Sequence, residues 1–230
     1  MTKKTKLWQT LKNELIVSCQ ALPEEPLHSS LIMGKMAYAA KLGGAKGIRS
    51  NSVDDIREIK KTTNLPIIGI IKKVTPGCSV FITPTEEEVV ALYNEGVDII
   101  AMDATNRKRP NNQTILEFFK TIRARYPDQL FMADCATFEE AKQAVELGFD
   151  CIGTTLCGYT EETKGINLPN FNLIQQLATS FDCPIIAEGG IWTPEDLKHA
   201  FECGAHTAVV GTAITRPMDI TKRFVKAVKG

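Results

Sequence analysis

The chain lacks net charge: 27 Lys and Arg balance 27 Asp and Glu over 230 residues. That balance argues against a polybasic nucleic-acid binder, and a 43% hydrophobic content argues against a disordered chain. No apolar run approaches the about 18 residues that cross a bilayer, so a membrane partner is not expected. Residues 7–16, after the basic start, are interrupted by Gln9, Thr10, Lys12, Asn13 and Glu14, so no signal-peptide core is expected either. The seven cysteines, at 19, 78, 135, 151, 157, 183 and 203, are odd in number and contain no CxxC. Buried thiols in a reducing cytoplasm are the expectation, rather than a disulfide framework or a zinc site. Aromatics are few, at 7%, and there are only three histidines, none in a metal-ligand spacing. There is no GxGxxG turn and no other nucleotide motif, so no cofactor is expected.

What is present is a repeated grammar. Thr85, Thr137 and Thr193 are each followed three residues later by an acid, Glu88, Glu140 or Asp196. That is a capping box, with further early acids favouring the positive helix end. A glycine follows each Thr after 11 residues: Gly96, Gly148 and Gly204, the expected left-handed stops. Each stop leads into a β-rich run, namely IIAMDAT (99–105), CIGTTLCG (151–158) or TAVVGTAIT (207–215). These runs are apolar without strict alternation, as parallel strands covered on both faces are.

The three Thr positions lie 52 and 56 residues apart, a spacing that fits two βα units. The other strand candidates are LIVSCQ (15–20), KGIR (46–49), PIIGIIK (66–72), LFMADCA (130–136) and PIIAEGG (184–190). Helical stretches are expected near 29–42, 52–63, 112–125, 170–180 and 217–228. Eight strands alternating with eight helices, at about 27 residues per unit, predict one (β/α)8 TIM barrel spanning 1–230. Residues 1–14 form an extension, with a short helix covering the barrel floor.

Chemistry in such barrels sits at the carboxyl ends of the strands. Those ends carry Gln20, Arg49, Lys72, Asp103, Asp134, Thr154–Thr155, Glu188 and Gly211. Convergent charges must pair with each other or face a ligand. Gly189–Gly190 and Gly211–Thr212 follow the last two strands, where barrels commonly bind phosphate, and Arg216 adds a charged fork. Lys72, in a partly apolar mouth, is either a rim lysine, a base near neutrality or a Schiff-base former. Glu188 could move a proton, or pair with Lys72 or Arg49. Asp103 and Asp134 are candidate sugar-hydroxyl acceptors, unless they pair with Arg49, Arg107 or Arg109. The run Arg107-Lys108-Arg109-Pro110 reads as a solvated loop.

LIVSCQALPEEPLHSSLIMGKMA, GIR, LPIIGIIK, AMDATNRKRP, MADCAT, LGFDCIGTTLCGYT, IIAEGGI and VVGTAITRPMDITKRF together resemble the N-acylglucosamine-6-phosphate 2-epimerases over essentially the whole chain. The resemblance implies interconversion of N-acetylmannosamine 6-phosphate and N-acetylglucosamine 6-phosphate in sialic acid and amino-sugar breakdown, without a cofactor. It places the catalytic pair at Lys72 and Glu188, and substrate contacts at Gln20, Arg49, Asp103, Asp134 and Thr155. Phosphate contacts fall at Gly189, Gly190, Gly211, Thr212 and Arg216. A sugar phosphate is the implied partner, and homodimers are common in the family. The sequence departs from the family pattern at Thr212, where a second glycine is frequent, and in the loop after Lys72. A Schiff-base lyase or aldolase on the same barrel, and a non-catalytic sugar-phosphate sensor, are the competing readings.

Overall fold

Four helices open on the same local device. Thr85, Thr114, Thr137 and Thr193 have extended backbone, and each N–H donates to the acid three residues on, at 2.8, 2.8, 3.2 and 2.9 Å. The box at Thr114–Glu117 is an addition to the three in the repeat, and it starts its helix three residues inside the expected stretch. Gly96, Gly148 and Gly204 all have positive φ, at 63°, 86° and 96°. The three helices opened by Thr85, Thr137 and Thr193 are therefore closed by a left-handed turn before the next strand.

The computed structural model describes residues 2–229. Helix α1 (Lys3–Leu11) precedes β1 (Leu15–Cys19), α2 (Ser30–Leu42), β2 (Gly47–Asn51), α3 (Val53–Thr62) and β3 (Ile67–Ile70). Then come α4 (Glu86–Asn94), β4 (Ile99–Asp103), α5 (Ile115–Arg125), β5 (Leu130–Asp134), α6 (Phe138–Leu147) and β6 (Cys151–Gly153). The chain continues through α7 (Phe171–Ser180), β7 (Ile185–Glu188), α8 (Pro194–Glu202), β8 (Thr207–Val210), α9 (Thr212–Thr215) and α10 (Pro217–Lys229). The eight strands pair in parallel, in sequence order, and β8 closes on β1. This is a TIM barrel with an N-terminal helix.

Most strands end one or two residues inside the runs that suggest them, and two end five residues short. β6 stops at Gly153, where Cys157 N turns back to Thr154 O at 3.1 Å. β8 stops at Val210, and Thr212–Thr215 form a helical turn that the apolar run TAVVGTAIT conceals. The Thr215 hydroxyl fixes that turn by donating to Ser18 O at 2.8 Å.

Side chains alternate along a strand, so every second residue faces the barrel axis. The interior is filled by Ile68 and Ile70 of β3, Ile99 and Ala101 of β4, Leu130 and Met132 of β5, Ile186 of β7 and Val209 of β8. Leu7 and Leu11 of α1 join this cluster and seal one end. Continuing each row by two residues reaches Lys72, Asp103, Asp134, Glu188 and Gly211. Period two thus carries an apolar plug into a polar rim, at the carboxyl ends of the strands.

Candidate active site

A cavity of about 990 Å³ opens at this rim. It is lined by Gln20, Arg49, Lys72, Thr155 and Glu188, together with Gly189, Gly190, Gly211, Thr212 and Arg216. The structure therefore gathers ten of the twelve residues singled out from the sequence. Gly189 and Gly190 have φ of 109° and 74°, a backbone that L side chains rarely adopt. Any Cβ at Gly190 would also collide with Leu168.

Arg49 organises the polar rim from beneath. Its Nη2 donates to Asp134 Oδ2 at 2.6 Å, while Nη1 donates to Asp134 Oδ1 at 3.0 Å and to Glu188 Oε2 at 2.8 Å. Burial opposes the guanidinium charge, but Asp134 and then Glu188 outweigh it and hold the group firmly protonated. Asp134 is fully out of solvent under this pair and does not line the cavity. Thr155 Oγ1 lies 2.6 Å from Asp134 Oδ1 and 3.2 Å from Glu188 Oε2.

Asp103 stands beside Asp134 in the β4–β5 register, yet the structure keeps it out of the cavity. Its Oδ2 accepts from Arg107 Nη2 at 2.6 Å, and its Oδ1 accepts from the Thr105 hydroxyl at 2.6 Å. Arg107 also donates to Ser79 O at 3.1 Å, so the loop after Lys72 is tied down over this carboxylate. The Arg107–Pro110 run is not simply solvated. Arg109 is only 2% exposed and donates to the carbonyls of Thr83, Pro84 and Asp103, with its guanidinium over the Phe118 ring.

Lys72 and Glu188 carry the site's ionisation chemistry. Burial pushes the Lys72 ammonium down to about 8, helped by the positive charges of Arg49 and Arg216. Burial pushes the Glu188 carboxyl up to about 7, with Arg49 opposing and Asp134 reinforcing. Both groups thus exchange protons near neutrality, as a general acid and base must. Lys73 is different in kind: it points outward to Glu87 and Glu88 at 2.6 and 2.9 Å. An antiparallel bridge between Lys72 and Ile82 fixes which of the two lysines faces in.

Gln20 Nε2 donates to Ser18 Oγ at 2.8 Å, while its buried Oε1 has no partner and can accept from a ligand. Sequence reasoning missed several lining residues, including Ser18, Phe81, Tyr159, Trp192, Arg223 and Lys226. Ser18 was within reach, because it faces inward two residues before Gln20. Arg223 and Lys226 were not, because α10 reads as an ordinary outer helix but lays its basic face along the cavity, with Arg223 4.8 Å over the Trp192 ring. Among the described residues, no His, Cys, Asp and Glu cluster could hold a metal ion. No described helix is long and apolar enough to cross a membrane.

A polar cavity lined by a titratable lysine and carboxyl, at the carboxyl ends of eight parallel strands, has the layout of a (β/α)8-barrel enzyme. The family model described as "Putative N-acetylmannosamine-6-phosphate epimerase" matches residues 33–230. The chain belongs to this epimerase family. A protein of Caldanaerobacter subterraneus subsp. tengcongensis, named "Putative N-acetylmannosamine-6-phosphate 2-epimerase", is 53% identical over 96% of this chain and 93% of its own length. A solved structure of the N-acetylmannosamine-6-phosphate 2-epimerase from Clostridium perfringens superposes with a TM-score of 0.91 at 51% identity, covering 96% of both chains. Thiamine phosphate pyrophosphorylase from Pyrococcus furiosus, at 16% identity and a TM-score of 0.63, shares the fold alone.

Proposed function

We propose that this chain interconverts N-acetylmannosamine 6-phosphate and N-acetylglucosamine 6-phosphate by removing the proton at C2 and returning it to the opposite face. The observation that carries this reading is that Lys72 and Glu188, displaced toward each other to about 8 and about 7, line one cavity. The family and the relatives at 53% and 51% identity supply the substrate class.

The C2 hydrogen is acidic only beside a carbonyl, so the sugar reacts as its open-chain aldehyde. Neutral Lys72 takes the C2 proton, and the C–H electrons pass through C2–C1 to the C1 oxygen. Protonated Glu188 supplies a proton to that developing charge. Protonation of C2 on its other face, with Glu188 taking the proton back from the C1 enol oxygen, restores the aldehyde and completes the exchange. Arg49 holds Glu188 and Asp134 in place, and the second N–H of its Nη2 remains to polarise the developing charge on the C1 oxygen.

The phosphate is assigned to Gly189, Gly190, Gly211, Thr212 and Arg216, with Arg223 and Lys226 adding positive charge. Anchoring there orients C2 over Lys72 and draws on binding energy remote from the reacting atoms. Gln20 contacts the sugar through its unpartnered oxygen. Asp134 acts through Arg49, and Asp103 fixes the Arg107 loop.

The chain is proposed to work in the cytoplasm as a single domain, 1–230, with residues 1–14 as an extension. A homodimer is the proposed assembly: α10 buries none of its described side chains, and Phe224 and Val228 on its apolar side are 71% and 87% exposed. Sedimentation analysis reads the assembly directly.

The activity is tested by incubating the protein with N-acetylmannosamine 6-phosphate and with the sugar lacking phosphate. Conversion of the phosphate ester alone supports the reading. Borohydride trapping of a Lys72 adduct during turnover would favour a Schiff-base reaction instead.

A further inference from the structure

Asp134 Oδ1 and Glu188 Oε2 are joined twice. Arg49 Nη1 touches both, at 3.0 and 2.8 Å, and Thr155 Oγ1 touches both, at 2.6 and 3.2 Å. Four contacts close this ring, and its donors are short by one. The Arg49 nitrogen carries two protons, one for each carboxyl, but the Thr155 hydroxyl carries only one. The 2.6 Å contact commits that proton to Asp134, which is buried, charged and unable to seek water. The Thr155 oxygen then faces Glu188 with a lone pair. Against an ionised Glu188 this contact is repulsive; against a protonated Glu188 it is a hydrogen bond.

We propose that Thr155 is a positioning residue whose hydroxyl donates to Asp134 and accepts from the Glu188 carboxyl, holding Glu188 protonated and aimed into the cavity. This rests on the reading of Glu188 as the proton donor in the epimerisation. Thr155 then has no proton to give a substrate, and the sugar contact implied by the resemblance is limited to its remaining lone pair. Three other groups face Glu188: Arg49 from β2, Asp134 from β5 and Lys72 beyond β3. Arg49 and Lys72 favour its ionised form and Asp134 its protonated form; a Thr155 hydroxyl donating to Glu188 would favour the ionised form, and with its proton committed to Asp134 it acts with Asp134 instead.

The test is the pH dependence of kcat and KM for Thr155→Val, Thr155→Ala and Thr155→Ser, with far-ultraviolet circular dichroism to confirm folding. The variants without a hydroxyl should lose about ten-fold in kcat with KM nearly unchanged, and their acidic limb should move down by about half a unit to one unit. Thr155→Ser should restore both. If Val at this site prevents folding, the smaller Ala carries the comparison. An acidic limb that stays in place with a raised KM would make Thr155 a substrate contact. An upward movement would mean that the hydroxyl donates to Glu188. Either result overturns the proposal. Carbon-13 NMR titration of the Glu188 carboxyl, in the wild type and Thr155→Ala without substrate, makes the same comparison independently of turnover. A downward shift there with no sugar conversion by the wild type would retain the Thr155 relay and reject the epimerase reading.

Discussion

Arg49 and Asp134 are joined by two parallel hydrogen bonds, at 2.6 and 3.0 Å, with side chains only 1% and 0% exposed. A planar fork meeting a carboxylate in this way fixes orientation as well as charge. The same guanidinium reaches Glu188, so the position of a rim carboxyl depends on a pair buried beneath it. Arg49→Lys keeps the charge but has no fork to span both carboxylates. It should lower kcat about 10²-fold, and Arg49→Ala should also cost about 3–5 kcal/mol of stability by leaving Asp134 buried and unpaired. Steady-state kinetics and urea unfolding check the two effects.

A second consequence concerns pH. Lys72 and Glu188 interact, so their titrations belong to the pair. The productive state, neutral Lys72 with protonated Glu188, has one proton across the two groups. Below about 7 the pair gains a second proton, and above about 8 it loses the last one. The profile of kcat/KM should be a bell with its maximum between these values. A profile flat from pH 5.5 to 9.5 would contradict the assignment.

Stability should respond to Lys72 in the opposite sense to activity. Its folded value of about 8 lies below the ordinary 10.5, so the fold disfavours the charged form. Below about 8 the penalty is complete. Between about 8 and 10.5 the unfolded chain retains a proton that the folded chain has released, so the penalty fades as pH rises. Lys72→Met should therefore stabilise the protein by about 1–3 kcal/mol at pH 7. The gain should shrink toward pH 9.5. Thermal melts at the two pH values give the difference, and a gain independent of pH would locate its origin in packing rather than charge.

The barrel was legible because its signals are local. A Thr with an acid three residues on, a glycine 11 residues after it and an apolar run beyond can all be read within one helix and the strand that follows it. Lys72, Asp103, Asp134 and Glu188 were legible for a related reason: each is the first charge after an apolar run. Their pairing was not. Arg49 meets Asp134 and Glu188 across separations of 85 and 139 residues, which only closure of the barrel brings together. Asp103 and Asp134 look equivalent in sequence, yet one is locked by Arg107 and the other by Arg49. The burial of Arg109 was hidden by its charged neighbours, and the path of α10 by an amphipathic pattern that any outer barrel helix would show.

The central claim is proton transfer at C2, and proton NMR in D2O tests it most directly. N-acetylmannosamine 6-phosphate should convert to the gluco epimer with deuterium entering at C2. Lys72→Ala and Glu188→Ala should each lose both conversion and exchange, by at least the about 10²–10⁴-fold that one positioned acid or base contributes. Conversion that left the C2 hydrogen in place, or undiminished exchange in Lys72→Ala, would contradict the account.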